Sequence, residues 1–295
     1  MINIPQHRKK QFILGIGAQR TGSTWLRAQL RQCDQISLGF CKEYHFFDAL
    51  FLPQMRSYHD APESTQPNGA LNLVGKVKSH REVNRSKRLA AFIKDPDRYF
   101  NYFDNLWAKN SSLTTVGDFT PSYSMLDRET FKYAKDRLGE LGFSVKVLFI
   151  MRDPVERIWS MKHQEAKMKK MLKQDPDFGK RTFSLENFTY EHAELRTRYE
   201  RTIRELEHVF DAGDIHYDFY ERYISTDRFK MITDFLGVNS RDPDIDTVRN
   251  ASYMKDKIDT VLAAEVANHY KETYQFIDAR FGKEMRSLWS GYQYI

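Results

Sequence analysis

The sequence predicts an α/β fold, a parallel β-sheet flanked by helices in a single domain. Three observations predict it. The apolar run Phe12-Ile-Leu-Gly-Ile-Gly17 breaks abruptly into a polar turn and then an amphipathic stretch. A second apolar run, Val145-Lys-Val-Leu-Phe-Ile-Met151, leads straight into Arg152-Asp-Pro154. Around these two, short apolar runs alternate with segments of helical periodicity, the order that builds parallel sheets from crossover units. With 295 residues, 41% hydrophobic and 14% aromatic, the chain can bury a large core and lacks the composition of a disordered one.

Taken in order, residues 12–17 read as a buried strand, because a parallel strand covered on both faces shows a continuous apolar run. Thr24–Cys33 reads as a helix with Trp25, Leu26 and Leu30 on one side, and Ile36–Phe40 as a short strand. Residues 53–95 contain Pro53, Pro62, Pro67 and Gly69 and the cations Lys76, Lys78, Arg81, Arg85, Lys87 and Arg88; they read as a long loop with short helices. A helix is expected over Asp97–Lys109, capped by Asp95 or Asp97 with Pro96 in its first turn. Thr114–Gly117 reads as a strand and Arg128–Leu141 as a helix ended by Gly142. Val145–Met151 is the central strand, and a long helix runs from Val155 to about Lys173. Leu185–Phe210 reads as one more long helix, Ile215–Tyr220 as a strand, Asp227–Leu236 as a helix and Lys255–Phe281 as a terminal helix. The sheet-bearing core covers about residues 10–240, followed by a helical segment over about 241–295.

The bulk numbers narrow the function. A net charge of +6 (46 basic against 40 acidic residues) favours anionic partners without choosing among them. Two cysteines, Cys33 and Cys41, exclude a disulfide framework and suit free thiols in a reducing compartment. No apolar run approaches the ~20 residues of a membrane span. The start, Met-Ile-Asn-Ile-Pro-Gln-His-Arg-Lys-Lys10, lacks the apolar stretch of a secretory leader, so a cytoplasmic protein is expected. Zinc spacings, RNA-recognition signatures and a helix-turn-helix are all missing from the sequence, which argues against a nucleic-acid partner.

Two segments carry chemistry. In Gly17-Ala-Gln-Arg-Thr-Gly-Ser-Thr24 the glycines have the spacing of the P-loop pattern G-x-x-x-x-G-K-[ST], but Ser23 stands at the lysine position and the nearest cation is Arg20. Strand, glycine turn and helix N-terminus point backbone N–H groups and the helix dipole at one place, which suits a phosphate or sulfate. The fold is therefore expected to be P-loop-like. The second segment is Arg152-Asp-Pro-Val-Glu-Arg-Ile-Trp-Ser160, in which Arg152 ends a strand and Ser160 lies two turns along the next helix. A guanidinium fork and a hydroxyl converging there would grip a phosphate. The alternative is an ion pair of Arg152 with Asp153, and Ser160 packed without a role.

These segments resemble sulfotransferases that use 3′-phosphoadenosine 5′-phosphosulfate (PAPS), of the heparan-type and bacterial kind. Arg20-Thr-Gly-Ser-Thr24 is similar to that family's 5′-phosphosulfate loop, and Arg152 with Ser160 to its 3′-phosphate element. Lys42-Glu-Tyr-His-Phe-Phe-Asp48 resembles the stretch whose glutamate is the catalytic base. Thr120-Pro-Ser-Tyr123 is similar to a family E-K-T-P-x-Y segment in which Asp118 and Phe119 replace the acid and the lysine, and Tyr220-Glu221 fits a further pattern. Arg249-Asn-Ala-Ser-Tyr-Met-Lys255 lies where the family places a loop over the 3′-phosphate. The resemblance implies a metal-free transfer from PAPS to a hydroxyl or amine on a carbohydrate or small-molecule acceptor. Glu43 would be the general base, Arg20 the cation on the leaving phosphate, and His45 an alternative base or orienting partner. Arg20, Thr21, Gly22, Ser23, Thr24 and Trp25 would contact the donor together with Arg152 and Ser160. Bland alternatives stand beside these: Glu43 as a carboxylate paired with Lys42 or Arg20, His45 as a buried satisfied histidine, Trp25 as core, and Lys167–Lys173 as a solvated helix end. A kinase-like phosphotransferase using ATP and magnesium is the competing function.

Overall fold

Five parallel strands in the order β2-β3-β1-β4-β5 form the sheet: Gln11–Gly17 (β1), Ile36–Ser37 (β2), Thr115–Phe119 (β3), Ser144–Met151 (β4) and Ile215–Phe219 (β5). The computed structural model describes residues 8–53, 55, 80–171, 183–246 and 257–295. Every residue of β1 is buried, as its unbroken apolar run requires. Its side chains still alternate between two layers. Phe12, Leu14 and Ile16 join the larger core cluster, and Ile13 joins the smaller one. Ser23–Leu30 (α1), the single turn Tyr220–Tyr223 (α9) and Thr226–Leu236 (α10) cover the Ile13 face through Trp25, Leu26, Leu30, Tyr223, Phe229, Ile232 and Leu236. The opposite face is covered by Asp97–Ala108 (α4), Arg128–Glu140 (α5), Pro154–Met171 (α6), Tyr199–Glu207 (α8) and the C-terminal helices, through residues such as Phe103, Leu138, Ile158, Ile203 and Ile277. This is the P-loop-like α/β arrangement expected from the sequence.

Several expected elements differ, each for a tertiary reason. The second strand stops at Ser37 instead of Phe40, because the Leu38 and Cys41 carbonyls accept from the Tyr44 hydroxyl (3.3 Å) and Arg27 Nη2 (2.6 Å) and not from a neighbouring strand. The expected loop with short helices over 53–95 ends instead in one 15-residue helix, His80–Lys94 (α3); residues 56–79, with Lys76 and Lys78, lie outside the described residues. Asp97 is the first residue of α4, with Pro96 at the cap position, so neither aspartate caps it with its side chain. The expected helix over Leu185–Phe210 is broken into a 3-10 turn at Leu185–Asn187, then Glu191–Thr197 (α7) and α8. At the junction Arg198 leaves helical geometry (ψ 77°), and the Tyr199 hydroxyl turns inward to the Arg152 carbonyl at 2.7 Å. The terminal helix is likewise two, Thr260–His269 (α11) and Lys271–Phe281 (α12), parted at Tyr270, whose hydroxyl bonds the Phe188 carbonyl at 2.8 Å. Met285–Leu288 (α13) and a 3-10 turn at Ser290–Tyr294 close the chain. Cys33 and Cys41 are free and buried, and no helix among the described residues is long and apolar enough to cross a membrane.

Candidate active site

Both informative loops leave the carboxyl ends of adjacent central strands, where open parallel sheets bind ligands. After β1 the chain turns through Ala18–Gly22. Arg20 (φ 69°) and Gly22 (φ 72°) both adopt left-handed backbone. Glycine is required at 22 on two counts: that φ, and the Tyr223 hydroxyl, which would sit 2.7 Å from an added Cβ. The Thr21 hydroxyl donates to the Ala18 carbonyl (2.6 Å) and closes the turn, so Thr21 is buried inside the loop. Ser23 and Thr24 form the first turn of α1, whose leading amides have no intrahelical partner. Trp25 is only 3% exposed; Tyr223 and Phe229 meet it edge-to-face, and its indole N–H donates to the Asp244 carbonyl at 2.6 Å. Its surroundings are those of a core residue that supports the loop from below.

The two arginines meet. Arg20 Nε donates to Ser160 Oγ at 3.0 Å and its Nη1 to Gln164 Oε1 at 2.5 Å, while Arg152 Nη1 donates to the Arg20 carbonyl at 3.0 Å. Ser160 and Gln164 sit one turn apart on α6, so one helix face presents both to Arg20. Arg152 lies over the Tyr220 ring (4.5 Å to its centroid) and reaches the Glu156 carboxylate at 3.6 Å. Arg20 has no ion pair among the described residues; burial and then the Arg152 charge hold its pKa below the ordinary arginine value. The expected 5′ and 3′ elements thus share one continuous cationic cluster. Asp153 does not pair with Arg152: its buried carboxylate accepts from the Tyr274 hydroxyl (2.7 Å) and the Gly291 N–H (2.6 Å). The Asp153 N–H donates to Glu221 Oε1 at 3.0 Å, and burial, with Asp153 nearby, pushes the Glu221 carboxyl up to about 7.

A second cluster forms on the loop before Phe47–Phe51 (α2). His45 Nε2 lies 3.4 Å from Glu43 Oε2, and His45 Nδ1 lies 2.8 Å from Asp48 Oδ2. Lys42 Nζ lies 3.1 Å from Glu43 Oε1. Burial works against both charges, but the hydrogen bond from His45 and the Lys42 and His45 charges outweigh it and lower the Glu43 pKa to about 2. The bonds to Asp48 and Glu43 likewise raise His45 to about 9. The result is a histidinium set between two carboxylates, with Glu43 about a third exposed and Asp48 fully buried. Glu43 is paired with Lys42 and His45; Arg20 is not among its partners.

The segment after β3 holds this loop in place. Thr120 Oγ1 accepts from the Tyr44 N–H at 3.0 Å and donates to Asp118 Oδ1 at 2.7 Å. The Tyr123 hydroxyl accepts from the Phe46 N–H (3.0 Å) and donates to Asp118 Oδ2 (2.7 Å), which the Tyr99 hydroxyl also reaches at 2.9 Å. Ser122 Oγ donates to Asp48 and lies 3.2 Å from His45 Nδ1. Burial pushes the Asp118 carboxyl up to about 6 in spite of those donors. The Thr120 N–H bonds the Gly15 carbonyl at 2.9 Å, which ties this cluster to the strand that feeds the Arg20 loop. Phe119, at the position of the family lysine, is packed in the core beside α1 and supplies no charge.

Sequence reasoning missed Gln164, Ser122 and the role of Asp48. Spacing could have found Gln164, four residues after Ser160. Of the basic residues, Arg88 lies over the Phe40 ring at 4.0 Å, and Lys169 pairs with Glu165 at 3.5 Å, so these serve local packing and pairing. Arg249–Lys255 and Lys173 lie outside the described residues.

A glycine turn opening a helix, with strand-end arginines gathered beside it, defines a P-loop-like α/β protein with a cationic cluster at the carboxyl edge of its sheet. The sulfotransferase domain family matches residues 141–287, from the end of α5 into α13, and the chain belongs to the sulfotransferase family. The structure is similar to that of a sulfotransferase from Alicyclobacillus acidocaldarius, with a TM-score of 0.53, 15% identity, and coverage of 92% of this chain and 95% of that one. It is similar to the same degree to the sulfotransferase domain from the Synechococcus PCC 7002 olefin synthase (TM-score 0.53, 17% identity, 92% and 96% covered). At these identities the likeness is one of fold. No curated protein matches the chain.

Proposed function

We propose that this sulfotransferase moves a sulfuryl group from PAPS to a hydroxyl or amine acceptor, with Glu43 as general base and Arg20 beside the leaving phosphate. One observation carries the reading: Arg20 and Arg152, from loops after two adjacent strands, meet just ahead of α1, Arg20 donating to Ser160 and Arg152 to the Arg20 carbonyl. Like charges brought together, with Glu156 reaching only Arg152 and at 3.6 Å, are a poor arrangement for the protein alone and a good one for a multiply charged anion. Tyr223 supports the fit. Its buried hydroxyl has no partner among the described residues and lies against Gly22, a polar atom facing the proposed phosphate turn.

In this reading Arg152 and Ser160 bind the 3′-phosphate of the donor, and the Gly22, Ser23 and Thr24 amides hold its 5′ end. PAPS supplies the transferable sulfonate on a nucleotide leaving group. Arg20, fixed by Ser160 and Gln164, presents positive charge where negative charge grows on the leaving phosphate, so no reorganisation is needed as the bond breaks. Glu43 takes the proton of the acceptor. Held ionised by His45 and Lys42, it is always ready to accept, though weak as a base until an acceptor displaces part of that pairing. Asp48 fixes the His45 ring through Nδ1 and so sets the direction of Glu43.

The test is a labelled-sulfate transfer assay against a panel of carbohydrate, peptide, lipid and small-molecule acceptors, with mass spectrometry of the product. Transfer from PAPS that is indifferent to chelator is expected. Absence of PAPS binding together with magnesium-dependent ATP binding would establish the kinase-like alternative instead.

A further inference from the structure

We propose that the last turn of the chain, Trp289–Gly291, is a clamp that positions Arg152 for the 3′-phosphate of the donor, an inference that rests on the proposed function. The peptide unit joining Arg152 to Asp153 is pinned at both of its polar atoms. Its carbonyl accepts from the Tyr199 hydroxyl at 2.7 Å, and its N–H donates to Glu221 Oε1 at 3.0 Å. The other Glu221 oxygen accepts from the Trp289 indole N–H at 3.0 Å. The Asp153 side chain is fastened to the same segment. Oδ2 accepts from the Gly291 N–H at 2.6 Å and from Ser290 Oγ at 3.4 Å, while Oδ1 accepts from the Tyr274 hydroxyl and the Val155 N–H.

Fixing that peptide plane fixes the direction in which the Arg152 side chain leaves the sheet. An arginine has several rotatable bonds, and its phosphate affinity depends on how few of them remain free before binding. Gly291 shows how close the contact is. A Cβ there would collide with the Tyr274 hydroxyl and stand 3.1 Å from Asp153 Oδ1. The family match ends at residue 287, so the three clamping residues lie beyond the matched segment. They are positioning residues and touch no reacting atom.

Calorimetric titration with adenosine 3′,5′-bisphosphate, and separately with adenosine 5′-monophosphate, reads the 3′-phosphate contribution as a ratio of two affinities. Trp289→Phe removes the N–H from Glu221 but keeps a ring against Tyr199, Phe219 and Tyr274. The expected result is a fall of about 5- to 10-fold in bisphosphate affinity, the size of one ordinary net hydrogen bond, with monophosphate affinity within about 2-fold. Gly291→Ala, which pushes Tyr274 off Asp153, should shift the ratio in the same direction. In an Arg152→Ala background, Trp289→Phe should add nothing to the loss. An unchanged ratio in folded Trp289→Phe protein, or an undiminished effect without Arg152, overturns the clamp while leaving the nucleotide assignment standing. An unaltered protein that binds both nucleotides equally overturns the 3′-phosphate assignment and the clamp with it.

Discussion

The two side-chain clusters on the carboxyl edge of the sheet are opposites in charge balance. Around Arg20 and Arg152, positive charge is gathered and left largely unmet; hydroxyl, amide and carbonyl oxygens orient the guanidinium groups, and the nearest carboxylate stands 3.6 Å from Arg152. Around Glu43, each charge has its counter-charge within reach: Lys42 and His45 on Glu43, and Asp48 on His45. The first arrangement would gain stability from the proposed anion. The second is complete before anything binds, and what it supplies is direction. In the proposed reaction the first cluster would hold the charged donor and the second would direct Glu43, whose basicity Lys42 and His45 already lower before any donor binds.

Substitutions can break that division. The largest effect is expected from Glu43→Gln, which should cut turnover by about 10²-fold or more, the usual contribution of a positioned general base. Calorimetry should find its affinity for the bisphosphate unchanged, because no donor contact is assigned to Glu43. A parallel loss of affinity would merge the two clusters into one. Next is Arg152→Ala, expected to weaken bisphosphate binding by about 10- to 10²-fold, the worth of charged hydrogen bonds to a phosphate. Titration of that variant with unchanged affinity would remove Arg152 from the anion site.

Asp48→Asn sharpens the comparison further. His45 sits at about 9 in place of its ordinary 6.5 through its bonds to Asp48 and Glu43, so removing the Asp48 charge should lower it. The pairing favours the folded state fully below pH 6.5 and is lost as pH rises through about 9. The depressed Glu43 value describes the same interaction seen from the other partner. Turnover should fall by roughly 10-fold, less than the about 10²-fold expected when the base itself is lost. More telling, the alkaline limb of the kcat profile should move to lower pH. A limb that stays in place would detach His45 from the reaction.

Much of this was legible in the sequence, and what was not has a common cause. The α/β order, the β1 loop and the strand-end Arg152 follow from local runs, because strand, turn and helix N-terminus are consecutive in the chain. Arg20 and Arg152 were expected at separate ends of a ligand; in the structure Arg152 binds the Arg20 carbonyl across 132 residues of sequence. The same is true of Ser122 on Asp48, 74 residues apart, and Gly291 on Asp153, 138 apart. Contacts of that separation leave no periodicity to read. The break at Arg198 was hidden for a related reason: helical spacing persists across it, and only the pull of the Tyr199 hydroxyl onto the Arg152 carbonyl turns the chain.

The smallest effect should come from Asp118→Asn, which probes the scaffold under the Glu43 loop. Asp118 accepts from Thr120, Tyr99 and Tyr123, and its carboxyl is raised from 3.8 to about 6 by burial. Asparagine loses one acceptor oxygen, at about 1.5–3 kcal/mol for a bond to a charged group. It also removes the need to bury a charge, which a shift of that size puts at about 3 kcal/mol near neutral pH. The two offset, so melting temperatures at pH 7.5 should differ by only a few degrees. The sign appears on acidification. Folded Asp118 keeps its proton up to about 6, whereas the unfolded chain releases it near 3.8, so the unaltered protein gains stability from this group as pH falls through that window. The variant has no such gain and should fall behind at pH 4.5. Melts in which the difference between the two proteins is the same at both pH values would show that Asp118 is ionised throughout, and that the Glu43 loop rests on a carboxylate whose charge is as fully met as those above it.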